Sequence, residues 1–178
     1  MRQYRQRQNI MNLNDANLRN LFASLWALEG KGRYHLDSIM ANPARLKEEL
    51  VNLLVDEGKP AKQQYDRFKK NISGAGRNVI SELLHFTHPR DYILWNDPAE
   101  DALTYFNIQV PSENEFNGEE YVAYGKIVRE IHKVIWPRII DFINKNNEKH
   151  PHLDKVAQDL TTTDCFLRYI GSKHNPNP

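Results

Sequence analysis

The chain has 178 residues, of which 40% are hydrophobic and 26% charged, and a mean hydropathy of -0.71. That composition suits one globular domain with a real core, and the lack of any long apolar run excludes a membrane span. A net charge of +1 excludes a polycation, and a single cysteine, Cys165, excludes internal disulfides, a four-cysteine iron–sulfur cluster and cysteine-rich zinc sites.

Residues 1–12 open with Met1-Arg2-Gln3-Tyr4-Arg5-Gln6-Arg7, basic and without an apolar stretch of signal-peptide length behind them. They read as a flexible basic arm, and the chain reads as cytoplasmic. A helix is expected over residues 15–29, with Leu18, Leu21, Phe22, Leu25, Trp26 and Leu28 on its apolar face and Gly30 as its stop. Lys31-Gly32-Arg33 is a loop, followed by a short helix near residues 36–41. Asn42 and Pro43 start a helix that runs to about residue 56. Another follows Pro60 to about Asn71, with Tyr65 and Phe68 inward. Residues 77–86 form a helix with Val79, Ile80, Leu83 and Leu84 buried. Tyr92-Ile93-Leu94-Trp95 reads equally as a strand or as an extended buried connector. Asp97 is expected to cap a helix with Pro98 in its first turn. A long helix over residues 118–144 should kink or break at Pro137. A last amphipathic helix ends near Ile170, with Cys165 as a buried thiol, and residues 172–178 form a loose tail. The fold class is all-α, with one helical domain over residues 13–171.

The stretch between the two central helices carries the chemistry. Ile72-Ser73-Gly74-Ala75-Gly76 joins one amphipathic helix directly to the next. Two glycines at this spacing permit a tight hairpin with positive φ. They also leave backbone N–H groups exposed at the next helix start, where an anion binds well; for a nucleic acid that anion is a phosphate. Residues 59–77 hold six basic side chains (Lys59, Lys62, Arg67, Lys69, Lys70 and Arg77) against one acid, Asp66. Residues 97–120 hold seven acids and no lysine or arginine. A charge run taken alone is most simply a solvated helix face; its place beside the glycine hairpin is what fits a phosphate-contacting surface.

With Gly74, Ala75 and Gly76 in a hairpin and Asp97 one helix and one connector later, the region from about residue 60 to 103 resembles the helix-hairpin-helix DNA glycosylase superfamily. The run Ser81-Glu82-Leu83-Leu84-His85-Phe86, then Pro89, Tyr92, Trp95-Asn96-Asp97 and Ala102-Leu103, also resembles helical domains of bacterial restriction and phage-defence proteins. The resemblance implies a glycosylase-like helical core, phosphate contacts from Gly74, Ala75, Gly76, Arg77, Lys69 and Lys70, and a catalytic position at Asp97. Trp95, Tyr92 and Asn96 would be the base-contacting residues. Two departures stand out. The lysine of bifunctional glycosylases, two residues after the last hairpin glycine, is Asn78 here, which argues against Schiff-base chemistry. The Asp-Thr-His-type context around the aspartate is replaced by Trp95-Asn96-Asp97-Pro98.

These readings lead to a DNA-binding, base-inspecting protein in a restriction or phage-defence setting, without strong catalysis of its own. Its partners would be duplex DNA, modified duplexes included, and a protein of the same defence system. One alternative is a monofunctional glycosylase using Asp97; another is a protein-interaction subunit docking through its acidic segment. No nucleotide-binding phosphate loop is present and no cofactor is expected. His85 and His88 read as a partly buried helix-end pair rather than metal ligands. Chain length also allows a geometric expectation. The helix after the hairpin spans about 15 Å, and the connector behind it, at up to ~3.3 Å per residue, can return Asp97 to the hairpin, with Trp95 walling a groove between them.

Overall fold

The computed structural model describes residues 1–56, 58–110, 116–145 and 159–174. Among these residues all regular structure is helical. The helices are α1 (Arg7–Met11), α2 (Asp15–Ala23), α3 (Tyr34–Ile39), α4 (Pro43–Leu54), α5 (Ala61–Asn71), α6 (Arg77–Thr87), α7 (Asp97–Tyr105), α8 (Gly118–Lys145) and α9 (Thr161–His174). Short 3-10 turns lie at Arg2–Arg5, Trp26–Leu28 and Gly30–Arg33. No described helix is long and apolar enough to cross a membrane.

The central helices follow local sequence. Asn42 caps α4 by accepting from the Arg45 N–H at 3.0 Å, and Pro43 sits in the first turn, where its missing N–H costs nothing. The apolar faces of α4, α5 and α6 bury Leu46, Leu50, Tyr65, Phe68, Ile80, Leu83 and Leu84 in one core with Leu18 and Phe22 of α2. α5 also packs on α8, and α7 packs closely on α9. That last contact depends on Gly171: a Cβ there would lie 1.8 Å from the Pro98 carbonyl oxygen.

Several expectations are corrected. The proposed arm is helical and packed: Ile10 is fully buried, α1 packs on α4, and the Arg5 Nε–H donates to the Thr87 carbonyl at 2.7 Å. The first long helix stops at Ala23 rather than reaching Glu29. The Ser24 hydroxyl bonds back to the Leu21 carbonyl at 2.7 Å, and the Ala27 N–H is taken by the Glu82 carboxylate at 2.8 Å, a partner 55 residues away. Of the two readings of residues 92–95, the connector holds: they form no regular structure. Asn96, not Asp97, caps α7, accepting from the Ala99 N–H at 2.9 Å, so Asp97 is the first helical residue. α8 is not broken at Pro137 but continues through it to Lys145. Cys165 is exposed, because α9 turns Asp164 and Leu167 toward the core instead. The expected loose tail begins inside α9, which runs to His174; residues 175–178 lie outside the described residues.

Candidate nucleic-acid interface

The turn between α5 and α6 is built by its glycines, which have different reasons to be glycine. Gly74 has φ +83°, in the left-handed region that side chains rarely adopt. It is also pressed against α3: a Cβ would lie 3.0 Å from the His35 carbonyl oxygen and 3.2 Å from Ser38 Cβ. The Ala75 N–H donates to the Ile72 carbonyl at 3.3 Å and the Gly76 N–H to that of Gly74 at 3.2 Å, closing the turn. Gly76 has an ordinary φ of -79°, is exposed, and would meet nothing within 4 Å if it carried a Cβ. Neither the backbone nor the packing requires a glycine there.

α6 begins immediately after Gly76, and no side chain caps it. Its first N–H groups have no partner within the helix and carry the positive end of the helix dipole. They open on a surface groove of about 680 Å³ lined by Ala27, Leu28, Gly32, His35, Lys69, residues 72–79 and Phe116. No described carboxylate lines this groove. Lys69 reaches across it to donate to the Phe116 carbonyl at 2.6 Å, and the Arg77 guanidinium lies 4.4 Å from the Phe116 ring centre.

The basic run is less free than its sequence suggests. Lys59 pairs with Asp56, Lys62 with Glu119, Arg67 with Glu49, and Arg77 with both Asp97 and Glu100. Lys70 is exposed at the end of α5 and forms no ion pair with a described residue. Three acids of the acidic run, Asp97, Glu100 and Glu119, answer those cations. Asp66, the one acid within the basic run, accepts the Gly118 N–H at 2.7 Å at the start of α8.

The chain does bring Asp97 back to the hairpin. Its carboxylate meets Arg77 Nη2 at 2.5 Å while its side chain remains 72% exposed. Asn78, in the position of the lyase lysine, has its amide oxygen buried without a partner among the described residues.

Trp95 does not wall the groove, which corrects its expected base-contacting role. It is fully buried, stacked on Tyr124 with ring centres 4.8 Å apart, and its indole N–H donates to Glu100 at 2.6 Å. A ring covered on its faces by the core has none to offer a base. Tyr92 is half-buried and lines a separate cavity of about 270 Å³ with Gln64, His88 and Asp91, so the structure does not bring it to the hairpin. Asn96 is occupied in capping α7. His85 and His88 are both buried, bonding the Tyr92 carbonyl at 2.9 Å and the Leu54 carbonyl at 2.7 Å. Burial lowers the His85 pKa, partly opposed by its bond to Tyr92. No cluster of metal-ligating side chains occurs among the described residues.

Sequence reasoning missed Gly32, His35, Phe116 and Glu82. The first two lie on a basic loop with its own glycine pair, a signal that was present in Gly30-Lys31-Gly32-Arg33. Glu82 sits between Ser81 and Leu83 on α6 and is 2% exposed. Burial pushes its carboxyl up to about 7, and the Ala27 and Trp26 N–H groups pull it down only in part. Through Ala27 it fixes one wall of the groove. The chain matches no protein-family model, no curated protein and no solved structure.

Proposed function

We propose that this protein binds duplex DNA through a helix-hairpin-helix formed by α5, the turn at residues 72–76, and α6. The observation that carries the reading is Gly76. It is a glycine in an unstrained conformation, with open space where a side chain would be, directly before an uncapped helix start. Serine, threonine, aspartate or asparagine would cap such a helix better. A bare position suits the close approach of a phosphate to the first N–H groups of α6. Lys69 and Lys70 supply local positive charge, and the described groove lining carries no opposing acid. The similarity of this stretch to glycosylase and restriction-associated helical domains is consistent with DNA as the partner. A defence setting belongs to the same reading.

Titration of a labelled duplex at low ionic strength tests it. Wild-type protein should bind, and Lys69→Glu/Lys70→Glu should weaken binding at least tenfold with helical content unchanged. Equal binding by the two proteins would overturn the reading.

One observation favours a second reading, monofunctional base excision: the exposed Asp97 carboxylate stands beside the hairpin, on Arg77. Under it, DNA with modified bases should acquire alkali-labile sites, and Asp97→Asn should abolish them. The ion pair to Arg77 and the burial of Trp95 both favour binding without excision, in which case no such sites form.

A further inference from the structure

We infer that the 3-10 turn at residues 30–33 and the start of α3 form the other half of this DNA-binding face, and that Tyr34 stacks on an unpaired base. The inference rests on the hairpin reading and adds the kind of DNA preferred. Among the described residues, five large aromatic side chains are exposed: Trp26, Tyr34, Tyr105, Phe106 and Tyr169. Four of them are in contact with other groups. Trp26 packs on Phe86 and lies under Arg168, Tyr105 stacks on His174, Phe106 on Phe166, and Lys173 lies over Tyr169. Tyr34 is the most exposed, at 84%, and touches no other ring or cation among the described residues.

Its place makes that exposure informative. Tyr34 immediately precedes His35, whose carbonyl oxygen lies 3.0 Å from where a Gly74 Cβ would be, so loop and hairpin backbones are in contact. Gly32 and His35 line the same groove as Gly76 and Lys69. Gly32 also lets the loop close on itself, since a Cβ would lie 2.2 Å from the Ala27 carbonyl oxygen. With consecutive Cα atoms ~3.8 Å apart, Tyr34 stands within a few nucleotide steps, each about 3.4 Å along a strand, of a phosphate held at Gly76. Arg33 and His35 flank it, both exposed. An aromatic ring between a guanidinium and an imidazole, beside a phosphate site, matches single-stranded or locally opened DNA. There each base offers a π-face, and stacking contributes about five- to hundredfold in affinity. The nearest acid in sequence, Asp37, is exposed, pairs with Arg19 and does not line the groove; nor does Glu29.

The experiment compares a fully paired duplex with the same duplex carrying one unpaired base, titrated with wild type, Tyr34→Ala, Tyr34→Phe and Gly76→Leu. Wild type should prefer the unpaired-base duplex by about tenfold, on the scale of one stacked base. Tyr34→Phe should keep that preference. Tyr34→Ala should lose it, binding the two duplexes with equal affinity. Gly76→Leu should lose affinity for both. Equal preference in wild type and Tyr34→Ala, or no preference in wild type, would overturn the role of Tyr34 and leave the hairpin reading intact. Failure of wild type to bind either duplex would overturn both.

Discussion

Replacing Glu82 by glutamine should stabilise the fold above neutral pH and leave it nearly unchanged in mild acid. Glu82 is 2% exposed. One oxygen accepts the Ala27 N–H at 2.8 Å, and the other is buried without a partner among the described residues. Burial is the largest cause of its raised pKa; the nearby carboxylates of Asp164 and Glu29 add to it. In the unfolded chain the group titrates near 4.5, and in the fold near 7. Between those values the folded protein holds a proton that the unfolded chain has released. Stability therefore falls as pH rises through that window and levels off above it. The displacement corresponds to at most roughly 3 kcal/mol. Glutamine stays neutral at every pH and keeps an acceptor for Ala27. Asp164, itself raised to about 6 by burial, is common to both proteins and largely cancels in the comparison. At about 2–4 °C per kcal/mol for a chain of this size, the variant should melt up to roughly 6–12 °C higher near pH 8.5 and within about 3 °C of wild type near pH 5. Thermal unfolding followed by circular dichroism at both pH values reads this directly. A difference independent of pH, or a variant less stable in alkali, would refute the reasoning.

Further substitutions probe the packing around the interface. Arg77→Met should cost about 3–5 kcal/mol in denaturant unfolding, because it strands Glu100, 7% exposed, without its cation. Asp97→Asn, on the exposed side of the same guanidinium, should cost less than ~1 kcal/mol. Gly171→Ala should destabilise by about 1–3 kcal/mol or more, since α7 and α9 must separate to admit the methyl group; an unchanged midpoint would contradict the close contact at Pro98. Gly74→Ala should cost about 1–2 kcal/mol, because it strains a positive φ and crowds His35.

What could be read from the chain was local. The Asn42-Pro43 start of α4, the α5–turn–α6 unit and the apolar faces of the central helices follow from caps, glycines and helical period. What could not be read depended on distant partners. α2 ends early because Glu82 takes the Ala27 N–H. Trp95 looked available beside Asn96 and Asp97, but Tyr121 and Tyr124 of α8 bury it. The capping residue was misplaced by one position because Asn96 and Asp97 are both good caps before Pro98, and only the side-chain geometry separates them. The basic run overstated the free charge because its partners, Glu49, Glu100 and Glu119, lie far off in sequence or on another helix. The return of Asp97 to the hairpin was legible from chain length alone; the partner waiting for it, Arg77, was not.

The most direct test of the DNA-binding account is a salt titration of duplex affinity for wild type and Gly76→Leu, with melting measured on the same samples. The cations at the groove and its rim are chiefly Lys69, Lys70 and Arg33, so log affinity should fall against log salt with a slope of about -3. A Cβ at Gly76 meets nothing within 4 Å and its φ is ordinary, so the melting temperature of Gly76→Leu should stay close to wild type while its affinity drops at least tenfold. Equal affinity in the two proteins, or no measurable binding at low salt, would contradict the account.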